Sequence, residues 1–379
     1  MAAPSAKRVT WAELFFDLVF VFAATQVSGL VRLHRGWTGV GIAVLVLTPM
    51  YWGWIGTSVY ANRRDIEHAR DRLGLLGLGL AVLAMALAVP GASTNRGVEF
   101  AAAYLALAIL LWLLSFPEWR GARLNPYLIS AAVTGPLLLT GALFTDGVRL
   151  GLWSLAAAVE LSGLRLLRRQ LARVRFDTAH LSERYGLLVL IALGESLVEV
   201  GSTAVRQPLS NGRFFAVVAA YALFAGFWWA YFVFAMRGLD RAFATTGRAQ
   251  TDIIRPALSY AHLPFVCGII GAAVGAIDAI AAPHRPIDRY SGTLLAGGAS
   301  LYFATFAYAR WQVYRTVSMR RLATAAACAA LIPFAGRMPA MFFLAALAVI
   351  VAAVNAVEEV QAHRHGLEYL WRSRRPREP

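Results

Sequence analysis

Residues 11–26 read WAELFFDLVFVFAATQ, and this stretch decides the fold class. Its apolar residues continue to about residue 33, long enough for a helix across a hydrocarbon core that needs roughly 20 such residues. Two carboxylates, Glu13 and Asp17, stand one helical turn apart at its mouth. The chain around it is equally apolar. Of 379 residues, 59% are hydrophobic and only 15% charged, and the mean hydropathy is positive; a soluble domain of this length carries far more charge. A bilayer is the expected solvent. The nine residues ahead of the stretch, MAAPSAKRV, are short and basic. The run after them opens with acids and lacks a small-residue cleavage site, which predicts a retained first span rather than a cleaved signal.

On the same length rule, twelve spans are expected near residues 12–33, 39–61, 73–92, 98–116, 127–145, 149–167, 185–205, 213–236, 256–277, 291–309, 321–336 and 339–357. The eleventh, RLATAAACAALIPFAG, is short enough to be re-entrant. Roughly three-quarters of the 36 Lys and Arg fall in the N-terminus, the even-numbered connections and the tail, which predicts both termini in the cytoplasm. The net charge of +15 is therefore a topology signal, and no nucleic-acid partner follows from it. Arg165, Arg168, Arg169, Arg173 and Arg175 in the sixth connection could also touch anionic lipid. The tail beyond residue 357 mixes Leu367, Tyr369, Leu370 and Trp371 with arginines, as an interfacial helix does. The two cysteines, Cys267 and Cys328, lie inside apolar runs, so neither a disulfide framework nor a thiolate metal site is expected.

Sliding the chain by about 170 residues lays ELFFDLVFVFAATQVSGLV over ERYGLLVLIALGESLVEVG, with Glu13 over Glu183 and Leu187 over Asp17. The expected plan is all-α and polytopic. Two parallel six-helix repeats, 1–176 and 177–357, precede a basic cytoplasmic tail, 358–379. Many secondary transporters share such a plan.

A carboxylate inside a membrane costs several kcal/mol or so unless partnered. Glu195, Glu199 and Ser202 share one face of span seven, and two acids one turn apart there predict coupled titration and an exchangeable proton. Asp17, Glu195 and Glu199 are thus the candidate proton-handling residues. Glu13, Glu160 and His262 are candidates for lining a ligand site, and His262 sits two residues before Pro264, which frees backbone carbonyls. Trp52 and Trp54 in span two and Trp228 and Trp229 in span eight could face a flat, cationic or isoprenoid ligand. For each of these residues plain helix packing is the competing reading. No second histidine or cysteine stands at ligand spacing, so no metal is expected, and nothing calls for another cofactor. The glycines of GLLGLGL and GIIGAAVG predict close helix contacts.

TWAELFFDLVFVFAATQ, YANRRD, HLSERYGLLVLIALGES and YAHLPFVCGI together resemble, in matching order over residues 9–365, the bacterial low temperature requirement protein A family. The motif positions of that family fall on Glu13, Phe16, Asp17, His180, Glu183, Arg184, Gly186, Gly194, Glu195, His262 and Pro264. The resemblance implies a multi-pass protein of the bacterial inner membrane, linked by name to growth in the cold, without a substrate or reaction. It also implies that Glu183 and Arg184 pair at the entrance of span seven. Three functions are open on this reading. The first is a proton-coupled transporter or permease for an unknown solute. The second is an intramembrane enzyme using carboxylate acid catalysis on a lipid or isoprenoid. The third is a structural membrane-homeostasis protein whose partners are lipids alone.

Overall fold

The computed structural model describes residues 7–116, 125–167, 176–236, 238 and 255–365, and no strand occurs among them. A helix falls on each of the apolar runs: α1 Trp11–Leu33, α2 Trp37–Arg63, α3 Ala69–Ala88, α4 Gly97–Ser115, α5 Pro126–Ala142 and α6 Asp146–Leu166, then α7 Thr178–Val205, α8 Asn211–Ala235, α9 Ala257–Ala281, α10 Arg289–Tyr314, α11 Met319–Ala329 and α12 Ala340–His365. Among the described residues eight helices, α1–α4, α7–α9 and α12, are long and apolar enough to cross a membrane. α5 is apolar but shorter. α11 stops after 11 residues and a 3₁₀ turn, Ile332–Phe334, follows it. The expected tail begins inside α12, which runs on through His365. Residues 366–379, with the interfacial-helix residues, and the loop arginines 168, 169, 173 and 175 lie outside the described residues.

The chain forms two compact units, Met1–Ile191 and Ala192–Pro379, and the division falls inside α7. In the first, α1 packs on α2 and α3, α3 on α4, and α5 on α4 and α6. The start of α1 explains part of its acidic mouth. Thr10 caps the helix by accepting from the Glu13 N–H at 3.4 Å, and the Glu13 carboxylate accepts from the Thr10 N–H at 3.2 Å, a reciprocal capping box that satisfies two otherwise unpaired donors. The same helix buries Glu13, Phe16, Asp17, Phe20, Ala24 and Val27, spaced three and four apart, so both acids turn inward with the apolar stripe.

The second unit is built on a seam between α9 and α10, with α12 packed along α8. GIIGAAVG supplies the α9 side: a Cβ on Gly275 would stand 2.5 Å from the Ser291 carbonyl oxygen, and one on Gly268 2.8 Å from the Gly298 carbonyl oxygen. From α10, a Cβ on Gly298 would stand 2.5 Å from the Ala272 nitrogen. These neighbours are backbone and cannot rotate away. Gly298→Ala should therefore force the two helices apart and cost about 1–3 kcal/mol or more, as overpacking does. Gly297→Ala meets nothing within 4 Å and should be neutral or slightly stabilising, since alanine favours a helix over glycine by roughly 0.5–1 kcal/mol. Paired unfolding curves in one detergent check the contrast, and equal midpoints for the two variants would refute it.

Pro264 shapes the start of α9. It cannot donate to the carbonyl one turn back, and the residues just before it, Arg255–Tyr260, wind as a π-helix. A second π-helical stretch, Trp229–Ala235, ends α8. Such stretches redirect carbonyls that side chains can then take.

Candidate functional site: a buried charge network on α1, α2 and α7

In the first unit, α1 and α7 each place two polar side chains four residues apart on one face, Glu13 with Asp17 and His180 with Arg184. All four meet in the interior, with Glu13, His180 and Arg184 at 0% exposure and Asp17 at 1%. The Arg184 guanidinium donates through Nη1 to Asp17 Oδ2 at 2.6 Å and to the Glu13 carbonyl at 3.1 Å, and through Nη2 to Ser58 Oγ at 3.3 Å. Asp17 Oδ1 accepts from the Trp54 indole N–H at 3.0 Å. Trp54 lies with its ring centroid 5.4 Å from the Arg184 Cζ, and Tyr185 meets the indole edge-on at 5.1 Å. Both Asp17 oxygens and the arginine fork are therefore held by named donors and acceptors, the arrangement that makes a buried pair tolerable.

Glu13 is held differently. Its Oε1 accepts from the Thr10 N–H and hydroxyl. Its Oε2 lies 3.0 Å from His180 Nε2 and 3.6 Å from Arg184 Nε. None of these three atoms has an aligned hydrogen bond, so Arg184 meets Glu13 as a loose ion pair and the imidazole stands beside the carboxylate as a close polar contact. Buried polar groups in that condition each cost about 1–3 kcal/mol. The other side of the imidazole is fixed. His180 Nδ1 lies 3.1 Å from Asn62 Nδ2, while the Asn62 amide donates to the Asp177 carbonyl at 2.8 Å and accepts from the Asp177 N–H at 3.1 Å. Asp177 in turn stands just before α7, its Oδ1 accepting from the His180 N–H at 3.1 Å.

Lys7 closes the edge of the network. Its ammonium donates to the carbonyls of Ala61, Asn62 and Arg64 at the end of α2, and its N–H donates to Asp177 Oδ2 at 3.1 Å. Burial lowers the lysine below its ordinary range, opposed by the carboxylates of Glu13, Asp65, Asp177 and Asp71. A cation at the C-terminal end of α2 also meets the negative end of the helix dipole.

Glu183 and Arg184 do not form the pair that the resemblance implies. Neighbours on a helix point about 100° apart; Arg184 turns inward to Asp17, and Glu183 is exposed. Glu195 and Glu199 stand half-buried further along α7, and Ser202 is exposed with its hydroxyl returned to the Val198 carbonyl at 2.8 Å. Glu160 is buried and accepts from the Tyr104 hydroxyl, with Ser130 and Thr134 of the π-helical stretch Ser130–Thr134 beside the carboxyl group. The four tryptophans do not share an environment: Trp54 is in the network and Trp52 is half-buried, whereas Trp228 and Trp229 are exposed.

In the second unit His262 is buried with its Nδ1 2.8 Å from the Leu258 carbonyl and its Nε2 2.6 Å from the Tyr231 hydroxyl. A carbonyl only accepts, so Nδ1 carries the proton, Nε2 is the acceptor and the phenol donates. Both partners sit at the π-helical stretches, and neither Tyr231 nor Tyr104 is distinguishable in sequence from other interfacial tyrosines. His180 and Arg184 did carry a signal. Two residue pairs with i, i+4 spacing, one acidic and one basic, on helices that both begin at a polar boundary are the pattern of facing partners.

Glu13, Asp17, Asn62, His180 and Arg184 all lie in stretches of sequence that resemble a known family. Residues 8–356 match the bacterial low temperature requirement A protein (LtrA) family. The chain belongs to that family. An LtrA relative, an uncharacterised protein RA0937 of Rhizobium meliloti (strain 1021), is 30% identical over 380 residues, covering 94% of this chain and 90% of its own length. No solved structure matches. LtrA membership and the apolar helices together make this a multi-pass membrane-embedded protein.

Proposed function

We propose that this LtrA chain is a proton-coupled transporter of the bacterial inner membrane, with twelve spans in two six-helix repeats and both termini cytoplasmic. The observation that carries the proposal is the charge count of the sealed network. Glu13 and Asp17 bring two carboxylates against the single guanidinium of Arg184, with His180 between them, so one added proton balances the site. A purely structural ion pair has no need of the second acid or the imidazole. The network also joins α1, α2 and α7, so a change in its protonation bears on three helices at once. Glu195 and Glu199, half-buried in the later part of α7, are the other acids assigned to proton handling in this reading. The solute is small and unidentified, and membrane lipid is the surrounding partner.

Purified protein in liposomes loaded with a pH-sensitive dye tests this. Proton movement should appear only with one or more members of a broad solute panel, and Asp17→Asn, which removes the carboxylate charge at nearly constant side-chain size, should abolish it in protein that still elutes as a folded species. Absence of any solute-dependent proton movement in the wild type across amino acids, sugars, amines, organic acids and metal cations would overturn the proposal.

A further inference from the structure

The Asn62 amide determines which nitrogen of His180 is free to take a proton. Its orientation is fixed twice over, by donation to the Asp177 carbonyl at 2.8 Å and acceptance from the Asp177 N–H at 3.1 Å. Reversing the amide would set donor against donor and acceptor against acceptor. The group facing His180 Nδ1 at 3.1 Å is therefore an N–H donor, and Nδ1 must present its lone pair. The proton of the neutral imidazole is then on Nε2, beside Glu13 Oε2.

We infer that Asn62 is a positioning residue that holds His180 in the Nε2–H form, and that proton uptake at His180 Nδ1 opens the Asn62–Asp177 latch between the end of α2 and the start of α7. The proton adds to the Nδ1 lone pair and gives an imidazolium with N–H groups on both sides. No bond breaks in the imidazole. The new Nδ1–H points at the Asn62 Nδ2–H, two donors 3.1 Å apart. Turning the amide by 180° gives the imidazolium an acceptor, yet it then opposes amide N–H to the Asp177 N–H and amide oxygen to the Asp177 carbonyl. No orientation satisfies His180 and Asp177 together once the proton has arrived. When the amide turns to the imidazolium, both latch bonds are lost and the ends of α2 and α7 are released from one another.

Charged groups reach His180 from each element packed against it. From α1 come Glu13, 3.0 Å away, and behind it Asp17, already bound to Arg184. From the segment before α1 comes Lys7, tied to both ends of the latch through the Asn62 carbonyl and Asp177 Oδ2. α2 presents the neutral Asn62, and Tyr60 engages Asp71 of α3. α7 itself carries Arg184, and Asp177 stands just before it. An imidazolium brings the two carboxylates and two cations of the inner network to balance. The link to transport rests on the proposed function, whereas the latch stands on its own geometry.

The test is ¹⁵N-histidine solid-state NMR on the full chain in lipid bilayers, with His180→Gln identifying the His180 signals by difference, alongside hydrogen exchange at the Asp177 amide. In its neutral form His180 should show a protonated Nε2 and a bare Nδ1. On acidification the imidazolium should appear, and Asp177 exchange should speed up by about tenfold or more over the same pH range, the scale expected for losing two hydrogen bonds. His180→Gln should remove that pH dependence. Asn62→Asp, whose oxygens only accept, should put a proton on His180 Nδ1. A neutral wild-type His180 protonated on Nδ1 overturns the inference, as does Asp177 exchange indifferent to the His180 proton. Should Asn62→Asp fail to fold, the wild-type titration and His180→Gln decide alone. A working latch without proton movement in liposomes supports the latch and removes the transport reading; proton movement with an indifferent Asp177 does the reverse.

Discussion

Arg184→Met is expected to cost about 3–5 kcal/mol of stability, the range for removing one partner of a buried ion pair. The cause is the acids left behind. Asp17 Oδ2 loses its donor at 2.6 Å, the Glu13 carbonyl and Ser58 Oγ lose theirs, and two carboxylates remain inside an apolar helix bundle with no guanidinium between them. Arg184→Lys should recover only part of the loss. A lysine carries the charge but cannot reach Asp17, the Glu13 carbonyl and Ser58 from one planar fork. Asp17→Leu combined with Arg184→Met should be more stable than Arg184→Met alone, because one unpaired carboxylate goes with its partner. Denaturant unfolding in a single detergent gives the comparison. If Arg184→Met lies within about 1 kcal/mol of wild type, the network does not hold the unit together as described.

Much of the helical plan was legible because hydropathy and helix length are properties of short windows. The apolar runs lie under helices, the close seam of GIIGAAVG is where the small residues put it, and Pro264 stands beside irregular winding. Partner choice was less legible. The acids of α1 were visible, but their cation lies 167 residues away in sequence, and reading Arg184 as the partner of Glu183 neglected the turn between neighbouring helix positions. His180 had a place in the family motif and no role until Asn62 and Glu13 closed on its two nitrogens. Asn62 itself lay in YANRRD among arginines, and nothing in that local pattern marked it as a clasp. Arginines were read as markers of loops, which holds for a charge count over a whole chain and fails for the individual arginine that a neighbouring helix buries. Tyrosine hydroxyls are invisible to hydropathy. Tyr104 on Glu160 and Tyr231 on His262 needed coordinates to be found.

Arg321 is such an arginine, and the pair it makes should rival the Arg184 network in effect. It stands in the first turn of the short α11, at the first position of the expected eleventh span, yet it is 5% exposed and its guanidinium meets Glu358 of α12 in a two-bonded fork, Nε to Oε1 at 3.1 Å and Nη2 to Oε2 at 2.9 Å. Nη2 also donates to the Ala230 carbonyl at 3.2 Å, and Cζ lies 4.2 Å from the centre of the Phe306 ring. Ala230 belongs to the π-helical end of α8, and the neighbouring carbonyls of Gly226 and Phe227 take Asn355 Nδ2 at 2.9 Å and the Tyr302 hydroxyl at 2.8 Å. Side chains from α10, α11 and α12 thus hold one distorted helix end. Arg321→Met leaves the Glu358 carboxylate buried without its cation and should cost about 3–5 kcal/mol; Glu358→Met should cost a similar amount by stranding the guanidinium. The double variant should be markedly more stable than either single one, and its residual loss should report the Ala230 and Phe306 contacts. A double-variant cycle by thermal unfolding measures the coupling. Strictly additive losses would show that Arg321 and Glu358 act separately, and that the end of α8 is held by Tyr302 and Asn355 without the ion pair.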